Sequence, residues 1–218
     1  MPEVIINGPA GRLEGRYHHE PAANAPIALI LHPHPQFGGT MNNPIVYHLY
    51  YAFARRGCSV LRMNFRGVGR SQGIFDNGPG ELSDAATALD WLQIYNPDAR
   101  ACWIAGVSFG AWISMQLLMR RPEIAGFISV GPPANLYDFS FLAPCPSSGL
   151  IVNGDADRVA PPEAVRSLVS KLKSQKGISI THEVVSGANH FFEGKLDELI
   201  DEVIGPYLDE NLGQSAGA

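Results

Sequence analysis

The sequence lacks long runs of any one kind, and each missing run excludes a class of protein. No apolar stretch approaches the roughly 20 residues that cross a bilayer as a helix; residues 27–31 are far too few. No cluster of Lys and Arg offers nucleic acid an electrostatic footprint, and the formal net charge is −5. Charged residues make up only 17% of the 218 positions against 45% apolar, which argues against long disordered arms. Cysteine is scarce. Cys58, Cys102 and Cys145 are an odd number without metal-ligand spacing, each in or near an apolar segment. They read as buried thiols in a reducing compartment rather than a disulfide framework. The first residues, Met1-Pro2-Glu3-Val4, have neither the basic start nor the apolar core of a secretory signal, so a cytoplasmic location is expected. Neither membrane nor nucleic acid is an expected partner, and a monomer or small homo-oligomer is. No internal repeat or low-complexity tract breaks the chain apart from a short polar tail at 213–218. The length suits a single domain over 1–212.

What the sequence does have is Gly (23) and Pro (17), placed between two alternating kinds of segment. Short β-rich runs fall at 27–32, 59–65, 101–107, 124–130, 149–153 and 178–185. Helical patterns fall between them at 43–56, 81–95, 109–121, 161–175 and 195–208. In the second helical pattern Leu82, Ala85, Ala86, Leu89 and Leu92 keep the i, i+3, i+4 stripe of a half-buried helix. Gly57 and Gly177 follow their helices as left-handed stops. The strands are nearly continuous apolar runs, the pattern of a sheet covered on both faces. Strand–helix alternation then predicts a three-layer α/β/α sandwich with a mostly parallel sheet of seven or eight strands. Two early segments joined through Asn7-Gly8 and Gly11 add an antiparallel edge.

Ligands on such a sheet sit at the carboxyl ends of its strands. His32-Pro-His-Pro35, Phe65-Arg-Gly-Val-Gly69, Gly106-Val-Ser-Phe-Gly110, Asn153-Gly-Asp-Ala-Asp157 and Ser186-Gly-Ala-Asn-His190 all fall there. Gly106-Val-Ser-Phe-Gly110 matches G-x-S-x-G, with an apolar strand running in and a helix running out. Exposing a serine hydroxyl at such a turn brings the backbones at −2 and +2 together, which is what the glycines allow. The Phe109 N–H and the helix dipole would then face a developing oxyanion. A serine needs a base, and the base an orienting carboxylate. His190 follows the last strand, and Asp157 and Asp155 follow the preceding one. Asp157 is favoured because it can reach across the rim, whereas Asp155, one step from the strand, suits Asx-type bonds within its loop. The order Ser108, Asp157, His190 is that of a nucleophile-elbow fold.

These blocks, with Leu31-His-Pro-His-Pro-Gln-Phe-Gly-Gly-Thr-Met41 and Ala188-Asn-His-Phe-Phe192, resemble the α/β-hydrolase superfamily across nearly the whole chain. Within it they are similar to small bacterial lid-free serine hydrolases related to the dienelactone hydrolase-like esterases. The resemblance implies Ser108 as nucleophile, His190 as base and Asp157 as acid. It also implies an oxyanion hole built from the Phe109 N–H and an N–H after the strand ending at His32. His32-Pro33 replaces the usual His-Gly, and Pro33 and Pro35 have no N–H. The second donor is therefore His34 by position, with Gln36 next. Dienelactone hydrolases proper use cysteine where this chain has Ser108, which points away from a lactonase.

The implied chemistry is two-step acyl transfer on a small carboxylic or thio ester, with no metal or organic cofactor. A peptidase or acyltransferase on the same triad, and a non-catalytic binding module, are the alternatives. His32 and His34 lack a third ligand at zinc spacing, and His32 is expected to brace the oxyanion loop. Only 131–148 separates the strands between which many relatives carry a cap, too little for a separate domain. An open cleft is expected, with Phe37, Met41, Tyr137, Phe139, Leu142 and Phe191 as candidate walls. Trp112 is expected to pack in the core, Asp84 to be a structural or surface acid, and His18, His19 and His182 to face solvent.

Overall fold

The computed structural model describes residues 2–212; the expected tail at 213–218 lies outside them. Eight strands form one sheet: β1 (Glu3–Gly8), β2 (Gly11–His18), β3 (Ile27–Leu31), β4 (Ser59–Met63), β5 (Cys102–Val107), β6 (Ile124–Val130), β7 (Gly149–Gly154) and β8 (Ile180–Val185). Their order is β1-β2-β4-β3-β5-β6-β7-β8. β1 pairs antiparallel with β2 and β2 with β4, and every other pairing is parallel. The hairpin edge and the parallel body both follow the sequence expectation. The helices are α1 (Pro44–Ala54), α2 (Pro79–Ile94), α3 (Phe109–Leu118), α4 (Pro162–Lys173) and α5 (Gly205–Asn211). None is long and apolar enough to cross a membrane.

β3 shows why its unbroken apolar run is needed. Its residues are all within 1% of full burial, and successive side chains point to opposite faces. Ile27, Leu29 and Leu31 pack on the side of α2, α3 and α4; Ala28 and Ile30 pack on the side of α1 and α5. Three layers result, with the sheet in the middle. The three cysteines are buried and form no disulfide, and burial pushes the Cys58 and Cys102 thiols up to about 12. Gly57 and Gly177 end their helices with φ of 74° and 84°.

Two expectations need correction. The last helix is not continuous over 195–208: Glu198–Ile204 is wound wider, as a π-helix, before α5 begins. Pro206 has no N–H and its ring would meet a carbonyl four residues back, so the chain widens, and the Gly205 N–H reaches Ile200 O five residues back. His182 is not solvent-facing: it is half-buried, with Nε2 2.8 Å from Asn153 Oδ1, and burial lowers its pKa. The connection 131–148 between β6 and β7 holds no helix or strand, so no cap covers the sheet.

Asp84 is a structural acid at the heart of the α2 side. Its fully buried carboxylate accepts from Arg66 N, Nε and Nη2 at 3.0, 2.9 and 2.8 Å. This clamps the tight turn after β4 to α2. Breaking such a pair from one side strands a buried charge, so Asp84→Ala should lower unfolding free energy by about 3–5 kcal/mol. Urea unfolding measures it, and a loss under about 1 kcal/mol would show that solvent satisfies Arg66.

Candidate active site

The turn from β5 into α3 is made possible by two glycines. A Cβ on Gly106 would collide with the Gly110 carbonyl, and one on Gly110 would lie 2.5 Å from the His32 carbonyl oxygen. Ser108 sits between them at φ 55°, ψ −117°, a backbone conformation that non-glycine residues rarely adopt. Its N–H is held by Val130 O at 2.8 Å, and its own carbonyl accepts the first bonds of α3. The hydroxyl is thereby lifted onto the rim at the strands' carboxyl ends.

Two further loops converge there. The Ala188 carbonyl accepts from Ala156 N, and it presses so closely on Gly154 that a Cβ there would strike it. The β7 and β8 loops are thus locked together. His190 Nε2 lies 2.9 Å from Ser108 Oγ, and His190 Nδ1 lies 2.7 Å from Asp157 Oδ2. A carboxylate accepts only, so Nδ1 carries a proton, and the neutral ring then faces the hydroxyl with Nε2 as an acceptor. Asp157 Oδ1 accepts from Val159 N and Ala160 N, both at 2.8 Å, which fixes the carboxylate's plane. All three side chains are at least nine-tenths buried. Gly131, at φ 57°, lets the β6 loop pass beside the ring: a Cβ there would be 3.3 Å from His190 Cε1. Asp155 turns the other way and accepts from Ser186 Oγ and Gly187 N, holding the β8 loop.

Two residues of the same cleft carry unengaged backbone donors. The N–H groups of Phe109, at the start of α3, and of His34 have no acceptor among the described residues. The Gln36 N–H is turned to His34 Nδ1 at 3.2 Å, which removes it as a donor toward Ser108. His32 does brace this loop. Its Nδ1 donates to Pro33 O at 2.6 Å and its Nε2 accepts from Phe65 N at 3.0 Å, joining the ends of β3 and β4. With both nitrogens engaged, its ring has none left for a metal.

The cleft in front of Ser108 has a volume of about 390 Å³, and Phe37, Tyr137 and Phe191 line it as expected, together with His34. Met41 does not. It is 1% exposed, and its backbone is fixed by Asn64 Oδ1 and Arg62 Nη1, so the side chain is core. Phe139 and Leu142 are also displaced, lining a separate cavity between 131–148 and α4. Pro33, Pro133 and Val159 belong to the cleft and were missed; Val159, two residues past Asp157, is the one whose position signalled it. Trp112 packs, as expected, stacked on Tyr137 at 4.5 Å with Nε1 donating to Asp138 O.

Comparison with known proteins gives the following. Residues 16–190 match the model of the X-Pro dipeptidyl-peptidase (S15) family. The chain is 67% identical to ATU1826 of Agrobacterium tumefaciens, a protein of unknown function provisionally called an α/β hydrolase, with full coverage of both chains and a TM-score of 0.95. It is 53% identical to the uncharacterized protein RP471 of Rickettsia prowazekii, over 95% of this chain and 89% of that one. It is 31% identical to XC6422 of Xanthomonas campestris, an α/β serine hydrolase without a lid, covering 96% and 94% of the two chains with a TM-score of 0.84.

His32 also sets a pH dependence. Complete burial lowers its pKa from 6.5 to about 4, so the unfolded chain binds more protons than the folded one between those values. The stabilisation is full above about pH 6.5 and is lost as pH falls toward 4. Unfolding free energy should decline over that window by a few kcal/mol. His32→Gln should flatten the slope whatever its own cost. An unchanged slope in that variant would assign the titration elsewhere.

Proposed function

The chain belongs to the α/β serine hydrolases and to the family described by the X-Pro dipeptidyl-peptidase (S15) model, and from that membership we propose that it hydrolyses carboxylic or thio esters of small acyl groups. The observation that carries the reading is the unbroken chain of contacts from Asp157 through His190 to Ser108, in a cleft whose lining residues Phe109 and His34 each carry an unengaged backbone N–H. Ser108 Oγ attacks the ester carbonyl as His190 Nε2 takes its proton. The Phe109 and His34 N–H groups receive the charge on the carbonyl oxygen. His190 returns the proton to the departing alcohol or thiol, leaving an acyl-serine. Water then gives up a proton to the same nitrogen, attacks the acyl carbon and releases the acid. Asp157 holds the imidazole in the required tautomer. No step calls for a cofactor, and the cytoplasm suits the three free thiols.

A peptidase is the second reading, because the matched family model is described as a dipeptidyl-peptidase. Releasing dipeptides from a free N-terminus needs an anion to hold the substrate's ammonium group. The cleft walls are Pro, Phe, Leu, Tyr, Val and His side chains around Ser108, without a carboxylate, which favours uncharged acyl groups.

Ser108→Ala should abolish labelling by a fluorophosphonate and reduce p-nitrophenyl butyrate turnover by about 10⁶-fold. Asp157→Asn should reduce it by about 10⁴-fold, while Asp155→Asn leaves the chemical step in place. Steady-state assays with p-nitrophenyl esters and with Xaa-Pro p-nitroanilides separate the two readings. Faster cleavage of the anilides would replace the esterase reading with the peptidase one.

A further inference from the structure

Beside the cleft, across the turn that carries Tyr137, lies a larger pocket that the hydrolytic scheme does not use. It occupies about 520 Å³ between the 134–143 segment and α4 and opens to solvent, with Phe139, Leu142, Leu168 and Leu172 as its floor and Asp138, Ser140, Ser167, Lys171, Ser174 and Gln175 as its polar rim. The cleft at Ser108, at about 390 Å³, is the smaller of the two and lies near the lower end of small-molecule sites. The partition between them is thin. Leu136 N and Tyr137 N both donate to Pro133 O at 3.0 Å, so residues 133–137 make a single turn of chain. Pro133 and Leu136 border the cleft, Ala134 borders the second pocket, and Tyr137 borders both.

We propose that Tyr137 sets the length of the acyl group by closing the cleft against this second pocket, whose apolar floor would otherwise take the far end of an unbranched aliphatic chain. The proposal rests on the esterase reading and names the specificity-determining residue of that site. The ring is held as a panel would be. One face stacks on Trp112 at 4.5 Å and 22°, and Phe109 meets it edge-on at 5.8 Å. Trp112 is itself tied to the same segment through its bond to Asp138 O, so the wall stands firm when the cleft is empty. No hydrogen bond to a described residue holds the Tyr137 hydroxyl, so the ring's place depends on stacking alone. Removing it leaves no unpaired polar partner and joins the cleft to the floor of Phe139, Leu142, Leu168 and Leu172. Phe139 and Leu142, which the sequence pattern suggests as substrate walls, stand on the far side of that panel.

The test combines turnover with binding. Wild type, Tyr137→Ala and Tyr137→Ala/Ala164→Trp, the last filling the second pocket from α4, are assayed with p-nitrophenyl esters from acetate to dodecanoate. Straight-chain alkanoates of the same lengths are titrated by calorimetry. In wild type, affinity should rise about fourfold per methylene up to a break and then level off. In Tyr137→Ala the rise should continue past the break by at least three further methylenes, with the best ester shifting to match. The added tryptophan should restore the wild-type break. A break that stays put in Tyr137→Ala overturns the proposal, as does an extended range that Ala164→Trp fails to shorten. If no ester is turned over while the alkanoate break moves as described, the hydrolytic reading fails and the role of Tyr137 stands.

Discussion

The site depends on one close contact, the approach of the Gly106 and Gly110 backbones at the β5–α3 turn. Any side chain at either position would occupy space already held by main-chain atoms. Because the contact is so tight, Ser108 is forced into a left-handed backbone conformation and its hydroxyl out of the sheet. Everything else at the site is arranged around that fixed point. The β3 and β4 ends are joined by His32, the β7 and β8 loops by the Ala188 carbonyl and Asp155, and the β6 loop passes at Gly131. Each device is a short polar bond or a missing Cβ rather than a large apolar interface. Precision comes from main-chain atoms, whose positions the sheet already determines.

The two faces of the sheet contribute differently. On the α2 side, the Arg66–Asp84 pair anchors the turn after β4, and aromatic rings run from His34 through Phe75 and Phe109 to Trp112 and Tyr137. This run of rings carries the floor of the cleft. On the α1 side, Arg62 Nη1 binds Met41 O and Asn42 Oδ1, so the far end of the His34 loop is held from beneath the sheet. The loop that offers the His34 N–H is therefore fixed at both ends.

Strand periodicity and loop composition made the layers, the hairpin edge, Ser108, Asp157 and His190 readable from the sequence, because each depends on local pattern or on chain order. The choice between Asp155 and Asp157 was readable for the same reason, since reach depends on distance from the strand end. The cleft walls were not. Phe139 and Leu142 lie in the same apolar segment as Leu136 and Tyr137, and one turn of backbone sends them to opposite sides. Met41 looked like a wall by neighbourhood, but the Asn64 side chain draws it inward. Gln36 was excluded by an imidazole only two residues away. In each case a tertiary contact decided which way a residue faces, and apolar composition alone carries no such information. The widened turn before α5 was present in the sequence as Pro206, a local signal.

Phe37 is 84% exposed, and Leu136 and Phe191 also stand largely clear of the core, each on a separate loop. Replacing any of them removes little buried area from the folded state. The mouth of the cleft can therefore drift in shape from one lineage to the next without eroding the stability of the layers beneath. In a chain of this size, that decoupling leaves preference for one ester over another open to change by single substitutions.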